Sequence, residues 1–174
     1  LTKEYIYEDN YFRISIDDIK SALKPGDVIL VEGQSRVSSA IQFITSSNWS
    51  HAAIFIGKAA SFSHCLIEVK AVDGCKYTDI DVYRHHNLRI CRPIFLNNKK
   101  KSILIDYLIK KIGSKYDLKN IFDLIRFVYP NPPVPKKYRR NLIGIGAGDP
   151  TKAICSTLIA EAFKEIEHPI LPFR

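Results

Sequence analysis

Three residues of this 174-residue chain combine the types and settings that covalent catalysis needs: Cys155, His51 and Glu68. Cys155 follows the turn-forming Gly148-Asp149-Pro150 and lies in Ile154-Cys155-Ser156-Thr157-Leu158, which places it in the first turn of a predicted final helix. A helix N-terminus carries partial positive charge and unpaired N–H groups, which favour a thiolate and can hold an oxyanion. His51 opens the apolar run Ala52-Ala53-Ile54-Phe55-Ile56, which stops at Gly57 and reads as a buried strand with its histidine at the rim of a sheet. Glu68 is a charge set among apolar residues in Leu66-Ile67-Glu68-Val69, the next predicted strand. Were the two strands neighbours, Glu68 would orient the imidazole and favour its protonated form. His64 is the rival orienter, just after a predicted turn over 59–63. Taken singly, each has a plainer reading: a small residue in a helix–sheet contact, a structural histidine, a solvent-facing acid. Together they form a nucleophile, its base and a third member.

Positioning these residues requires a particular set of elements. A short helix is predicted over 16–23 and a strand over 28–31, after the turn at Lys24-Pro25-Gly26-Asp27, with Gly33 as its end. Ser35 can cap a helix bearing Val37, Ala40, Ile41 and Ile44 on one face, followed by a polar loop over 45–48. Strands are expected over 66–72, broken by Asp73-Gly74, and over 88–92, stopped by Pro93. Short connections between them predict an antiparallel, meander-like sheet. An amphipathic helix is predicted over 102–112 with Gly113 as its stop, and another after Asp117 carrying Ile121, Leu124, Ile125 and Val128. The prolines of 129–135 exclude regular structure there, so 129–140 reads as a Pro-rich, basic surface loop or lid. The last helix is expected from about 153 to 167, burying Leu158, Ile159, Ala162 and Phe163.

Composition narrows the class. Forty-six per cent hydrophobic and 25% charged residues fit a single globular domain over 1–174. No run is long enough to cross a bilayer, and no signal peptide is visible, so a cytoplasmic location is the expectation; a start at Leu1 leaves a removed upstream segment open. The net charge of +8, with clusters at Lys99-Lys100-Lys101, Lys110-Lys111 and 136–140, suits an anionic partner. Peripheral contact with an anionic membrane fits better than nucleic acid, for which no motif is present. The spacings of Cys65, Cys75, Cys91 and Cys155 contain no C-x-x-C, so no metal and no cofactor is expected. Cys65, Cys75 and Cys91 have no catalytic context; His85-His86 reads as loop. The glycines of 144–148 lack the spacing of a phosphate loop and read as flexible.

Four segments carry a resemblance: Pro25-Gly26-Asp27-Val28-Ile29-Leu30-Val31, Ser50-His51-Ala52-Ala53-Ile54, Ile67-Glu68-Val69 and Ile154-Cys155-Ser156-Thr157-Leu158. In this order they resemble the circularly permuted, YiiX-like branch of the NlpC papain-like superfamily, related to the lecithin retinol acyltransferase-like proteins. Gly113-Ser114-Lys115-Tyr116-Asp117 is similar to that family's G-x-x-Y-D segment. The resemblance implies a papain-like α+β domain, its antiparallel sheet packed against helices, with the nucleophile at the N-terminus of the C-terminal helix. It also implies a Cys155–His51–Glu68 triad. Thr157 stands where the family often has glutamate, which changes a local contact, and 129–140 has no counterpart. The expected activity is cysteine-nucleophile hydrolysis or acyl transfer at an amide, ester or thioester, with a lipid or acylated substrate slightly favoured. A peptidase or amidase on peptide or cell-wall substrates is the alternative, and a non-catalytic basic binding module is the other.

Overall fold

The computed structural model describes residues 14–70, 73–114, 154–168 and 170, with Arg36, Ala40, Ile44, Ile154 and Cys155 described by backbone alone. The expectations for 1–13, the helix after Asp117, the 129–140 loop and the glycines of 144–148 fall outside these residues.

The elements run α1 (Ile16–Ala22), β1 (Val28–Glu32), α2 (Arg36–Thr45), β2 (His51–Ala59), β3 (Phe62–Lys70), β4 (Gly74–Asp79), a 3-10 turn (Ile80–Tyr83), β5 (Asn87–Cys91), α3 (Asn98–Lys110) and α4 (Ile154–Glu165). Among the described residues the strands form one antiparallel sheet in the order β4-β3-β2-β1-β5. The fold is α+β, with helices packed on the sheet.

β1, β2 and β3 form the expected meander and β4 extends it; β5 departs from it, returning to pair with β1 at the opposite edge. β4 has no counterpart among the expected strands; it starts at Gly74 of the expected Asp73-Gly74 break and pairs with β3 along its whole length, from Lys70↔Gly74 to Cys65↔Asp79. β3 begins at Phe62, so the turn is shorter than the expected 59–63 and His64 lies inside the strand. α3 begins four residues before the expected Ser102, because the Asn97 side chain accepts from the Lys100 N–H at 2.8 Å and caps the helix there. The lysines 99–101 therefore lie inside its first turn. Gly113 does terminate the segment, with φ of +82°.

Alternation along the strands divides the core into two layers. Val28, Ala52, Ile54, Ile56, Cys65, Ile67 and Val69 face α3 and α4, where Leu104, Leu108, Leu158, Ile159, Ala162 and Phe163 meet them. The expected apolar face of the last helix is the face it buries. On the other side, Ile29, Val31, Ala53, Phe55 and Leu66 pack with Ile19 of α1 and with Ile80 and Tyr83 of the 3-10 turn. Asp27, 1% exposed, ties this layer together: both its oxygens take the Arg92 guanidinium at 2.7–2.9 Å, and its Oδ2 also accepts the Lys24 N–H.

Candidate active site

The site is built on the β2–β3 hairpin. β2 begins where Ser50 is fixed from two sides: its N–H donates to the Val31 carbonyl, and its Oγ accepts the Gly33 N–H at 3.0 Å. Gly33 tolerates no side chain, since a Cβ there would stand 2.2 Å from Ser38 Oγ and 2.7 Å from Ser50 Oγ. His51 then occupies the first position of β2, opposite Val31. Glu68 pairs with Ala53, two residues farther along β2. In a pleated sheet that diagonal relation points both side chains to one face within reach of each other.

They meet there. His51 Nε2 and Glu68 Oε2 lie 2.6 Å apart, with the carboxylate buried and the imidazole 21% exposed. The carboxylate takes three more contacts. Tyr83 OH donates to Oε2, Thr78 Oγ1 donates to Oε1, and Lys70 Nζ stands 3.1 Å from Oε1. Burial works to raise the Glu68 pKa. The hydrogen bonds from His51, Thr78 and Tyr83, with the charge of His51, outweigh burial and hold it down at about 2. Glu68 is therefore a carboxylate throughout the physiological range, with Nε2 of His51 as its donor. The Tyr83 ring also lies 6.1 Å from that of His51 and 5.8 Å below the Lys70 ammonium.

His64 does not join this group. Its ring stacks on Phe55 at 6.1 Å, four residues beyond His51 on the same strand face. Thr78, Tyr83 and Lys70 are additions that no sequence motif marked. Thr78 sits on the unforeseen β4 and Tyr83 on the turn that follows it.

Cys155 is the second residue of α4. Contacts along the helix fix which end of the sheet its first turn approaches. Lys100 at the start of α3 reaches the Glu167 carbonyl just beyond α4, while Tyr107 and Lys111 at the far end of α3 reach Glu161. The two helices are thus antiparallel, and α4 points its N-terminus toward the end of α3. That end is bound to the start of β4: Gly113 N–H donates to the Cys75 carbonyl and Cys75 N–H to the Ser114 carbonyl. Cys75 pairs with Val69, so the first turn of α4 and the His51–Glu68 pair share one end of the sheet. The α4 core residues pack on the face of the sheet opposite His51 and Glu68. Cys65 and Cys75 are buried; burial raises both pKa values, that of Cys75 to about 11. Among the described residues, no three His, Cys, Asp or Glu side chains are grouped to hold a metal ion.

An antiparallel sheet bearing an imidazole paired with a buried carboxylate at one end, with a cysteine-bearing helix start directed to that end, is the arrangement of a permuted papain-like protein. Residues 22–132 match the family described as permuted papain-like amidase enzyme, YaeF/YiiX, C92 family. The match covers well over half of the chain, and the chain belongs to this family of papain-like cysteine hydrolases. The matched segment includes His51 and Glu68 and ends before Cys155. The chain is similar to the probable lipoprotein peptidase YaeF of Escherichia coli (strain K12), 22% identical over 185 residues that cover 96% of this chain and 65% of YaeF. Its fold is similar to the crystal structure of yiiX from Escherichia coli O157:H7, described as a metalloprotein. There the TM-score is 0.54 and the identity 19%, over 82% of this chain and 66% of that one. The chain thus spans just under two thirds of the length of either relative.

Proposed function

We propose that this chain cleaves an amide bond through a Cys155–His51–Glu68 triad and a thioester acyl-enzyme. The observation that carries the reading is the 2.6 Å contact between His51 Nε2 and the buried Glu68 carboxylate. Because Nε2 is committed to Glu68, the imidazole acts through Nδ1. It takes the Cys155 proton, and the thiolate attacks the carbonyl carbon while the N–H groups of the first turn of α4 receive the oxyanion. The C–N bond breaks as the imidazolium returns its proton to the departing amine. Water, deprotonated by His51, then attacks the thioester; the C–S bond breaks and the acid is released. The same thioester would pass to another acceptor in an acyltransferase. A lipid or acylated substrate rests on the +8 charge and the 129–140 segment alone, so amide hydrolysis comes first. The naming of YaeF as a peptidase supports a peptide substrate, and a well-formed base–orienter pair is more than a non-catalytic module needs.

Alkylation by iodoacetamide near pH 6, mapped by mass spectrometry, tests this. Cys155 is expected to take the label fastest and His51→Ala to slow it by tenfold or more, in keeping with a thiolate held by an imidazolium. Cys155→Ala is expected to abolish both labelling and turnover of a peptide amide. Preferential labelling of Cys91, or turnover surviving Cys155→Ala, refutes the assignment.

A further inference from the structure

The end of the sheet opposite His51 carries a different chemistry. After β5 the chain turns at Pro93–Leu96. Leu96 goes inward and packs against Gly26, where a Cβ would stand 2.9 Å from its Cδ2. Its two predecessors go outward: Ile94 is 73% exposed and Phe95 is 90% exposed. Phe95 adopts φ of +61°, a left-handed conformation that a bulky residue rarely takes, and in it the ring stands clear of the surface. Lysines surround this tip. Lys99 is exposed and Lys100 and Lys101 half-buried in the first turn of α3. Lys24 and Lys58 are exposed at the same end, because the Gly26 N–H donates to the Phe55 carbonyl and holds the 24–27 turn against the far part of β2. The acids here offset part of this: Asp27 is buried and spent on Arg92, and Asp79, Glu165 and Glu167 stand against five lysines.

We infer that this end is a docking surface for an anionic lipid bilayer, with Ile94 and Phe95 entering the headgroup–acyl boundary and Lys24, Lys58 and Lys99–Lys101 lying over anionic headgroups. Two exposed apolar side chains alone bind a membrane weakly; a basic collar supplies the second signal. Charge complementarity commits the patch to lipid rather than to a second copy, since two copies would bring their lysines together. Among the described residues no helix is long and apolar enough to cross a membrane; the contact is peripheral. The geometry also bears on substrate. From Lys58 to His51 is seven strand steps, about 23 Å at the usual rise. A bilayer held at the tip leaves the site about that far above the surface, on a flank of the sheet. Resting on the amide-hydrolase reading above, the substrate is then a polypeptide bond standing off the membrane, not an acyl chain within it.

Co-sedimentation with phosphatidylcholine vesicles, with and without phosphatidylglycerol, tests the surface. The protein is expected to pellet with the anionic vesicles only and to be released by salt. Phe95→Ser lowers partitioning about tenfold, as does Lys58→Gln combined with Lys99→Gln. Phe95→Trp gains a blue-shifted emission on vesicle addition, above that of the single native tryptophan. No binding at low salt, equal binding of the variants, or self-association that Phe95→Ser abolishes without vesicle binding each overturns the inference. Turnover of a soluble peptide amide is expected to be unchanged in these variants; its absence in the wild type strikes the catalytic reading and leaves the vesicle result standing. A peptide amide anchored to lipid through a long polar spacer is cleaved faster than one on a short spacer, and equal rates overturn the stand-off.

Discussion

Replacing Glu68 by Gln probes the centre of the site, because the amide is a near-isostere of the protonated acid. In the folded protein the Glu68 carboxyl titrates at about 2, against the usual 4.5. At about 1.4 kcal/mol for each tenfold, that gap corresponds to about 3 kcal/mol of folding stability at neutral pH. The folded-state pKa is depressed, so the contribution is complete above about pH 5 and is lost as the pH falls through 4.5 toward 2. Glu68→Gln never has it. Urea unfolding at a series of pH values is therefore expected to show wild type more stable by about 3 kcal/mol at pH 7. The difference narrows below pH 5 and closes near pH 2, where the wild-type side chain becomes the neutral group that the variant mimics. A deficit of constant size from pH 7 to pH 3 would show that Gln fails by shape rather than by charge, and would refute the account of how Glu68 is held ionised. Absence of any deficit would refute it more directly.

Tyr83→Phe removes a donor from the oxygen that also holds His51 Nε2. With that competition gone, Glu68 binds the imidazolium more tightly, so the alkaline limb of the pH–rate profile is expected to move up by about one unit and turnover to fall about tenfold. Among the described residues Glu68, Lys70 and Tyr83 are titratable groups set against this pair; a profile that does not move would make Tyr83 a packing residue only. Phe163→Ala, at a side chain 2% exposed between α4 and the sheet, is expected to cost about 3–5 kcal/mol in thermal or urea unfolding. A loss under about 1 kcal/mol would mean that α4 is not held by this layer.

The strands that carry the site were legible because each is an apolar run closed by a glycine or a turn. β1 and β2 register on each other with Val31 against His51, and the acid on the next strand proved to be beside the histidine. β4 was not legible. Gly74-Cys75-Lys76-Tyr77-Thr78-Asp79 lacks a continuous apolar stripe, and its ladder to β3 is set by tertiary pairing rather than by its own pattern. Missing the strand meant missing Thr78, and Tyr83 lies on a 3-10 turn whose only local marker is the Asp79 side chain capping Asp81. The start of α3 was readable in principle, since Asn97 is a good cap, but the lysines that follow obscure an amphipathic onset. The exposure of Ile94 and Phe95 has no sequence signal at all; apolar residues between Pro93 and a helix look like core until Leu96 is seen to take that place.

The β2–β3 hairpin also sets an order of events. His51 and Glu68 are 17 residues apart and their pairing needs only neighbouring strands and the turn that brings in Tyr83. Cys155 arrives only at the start of the last described helix, well after Tyr83. In papain the nucleophile comes first in the chain; the nucleophile proposed here comes last. Emerging N-terminus first, this chain can complete and desolvate its base–orienter pair while the proposed nucleophile is still being synthesised, and the growing protein stays latent until α4 docks on the finished sheet.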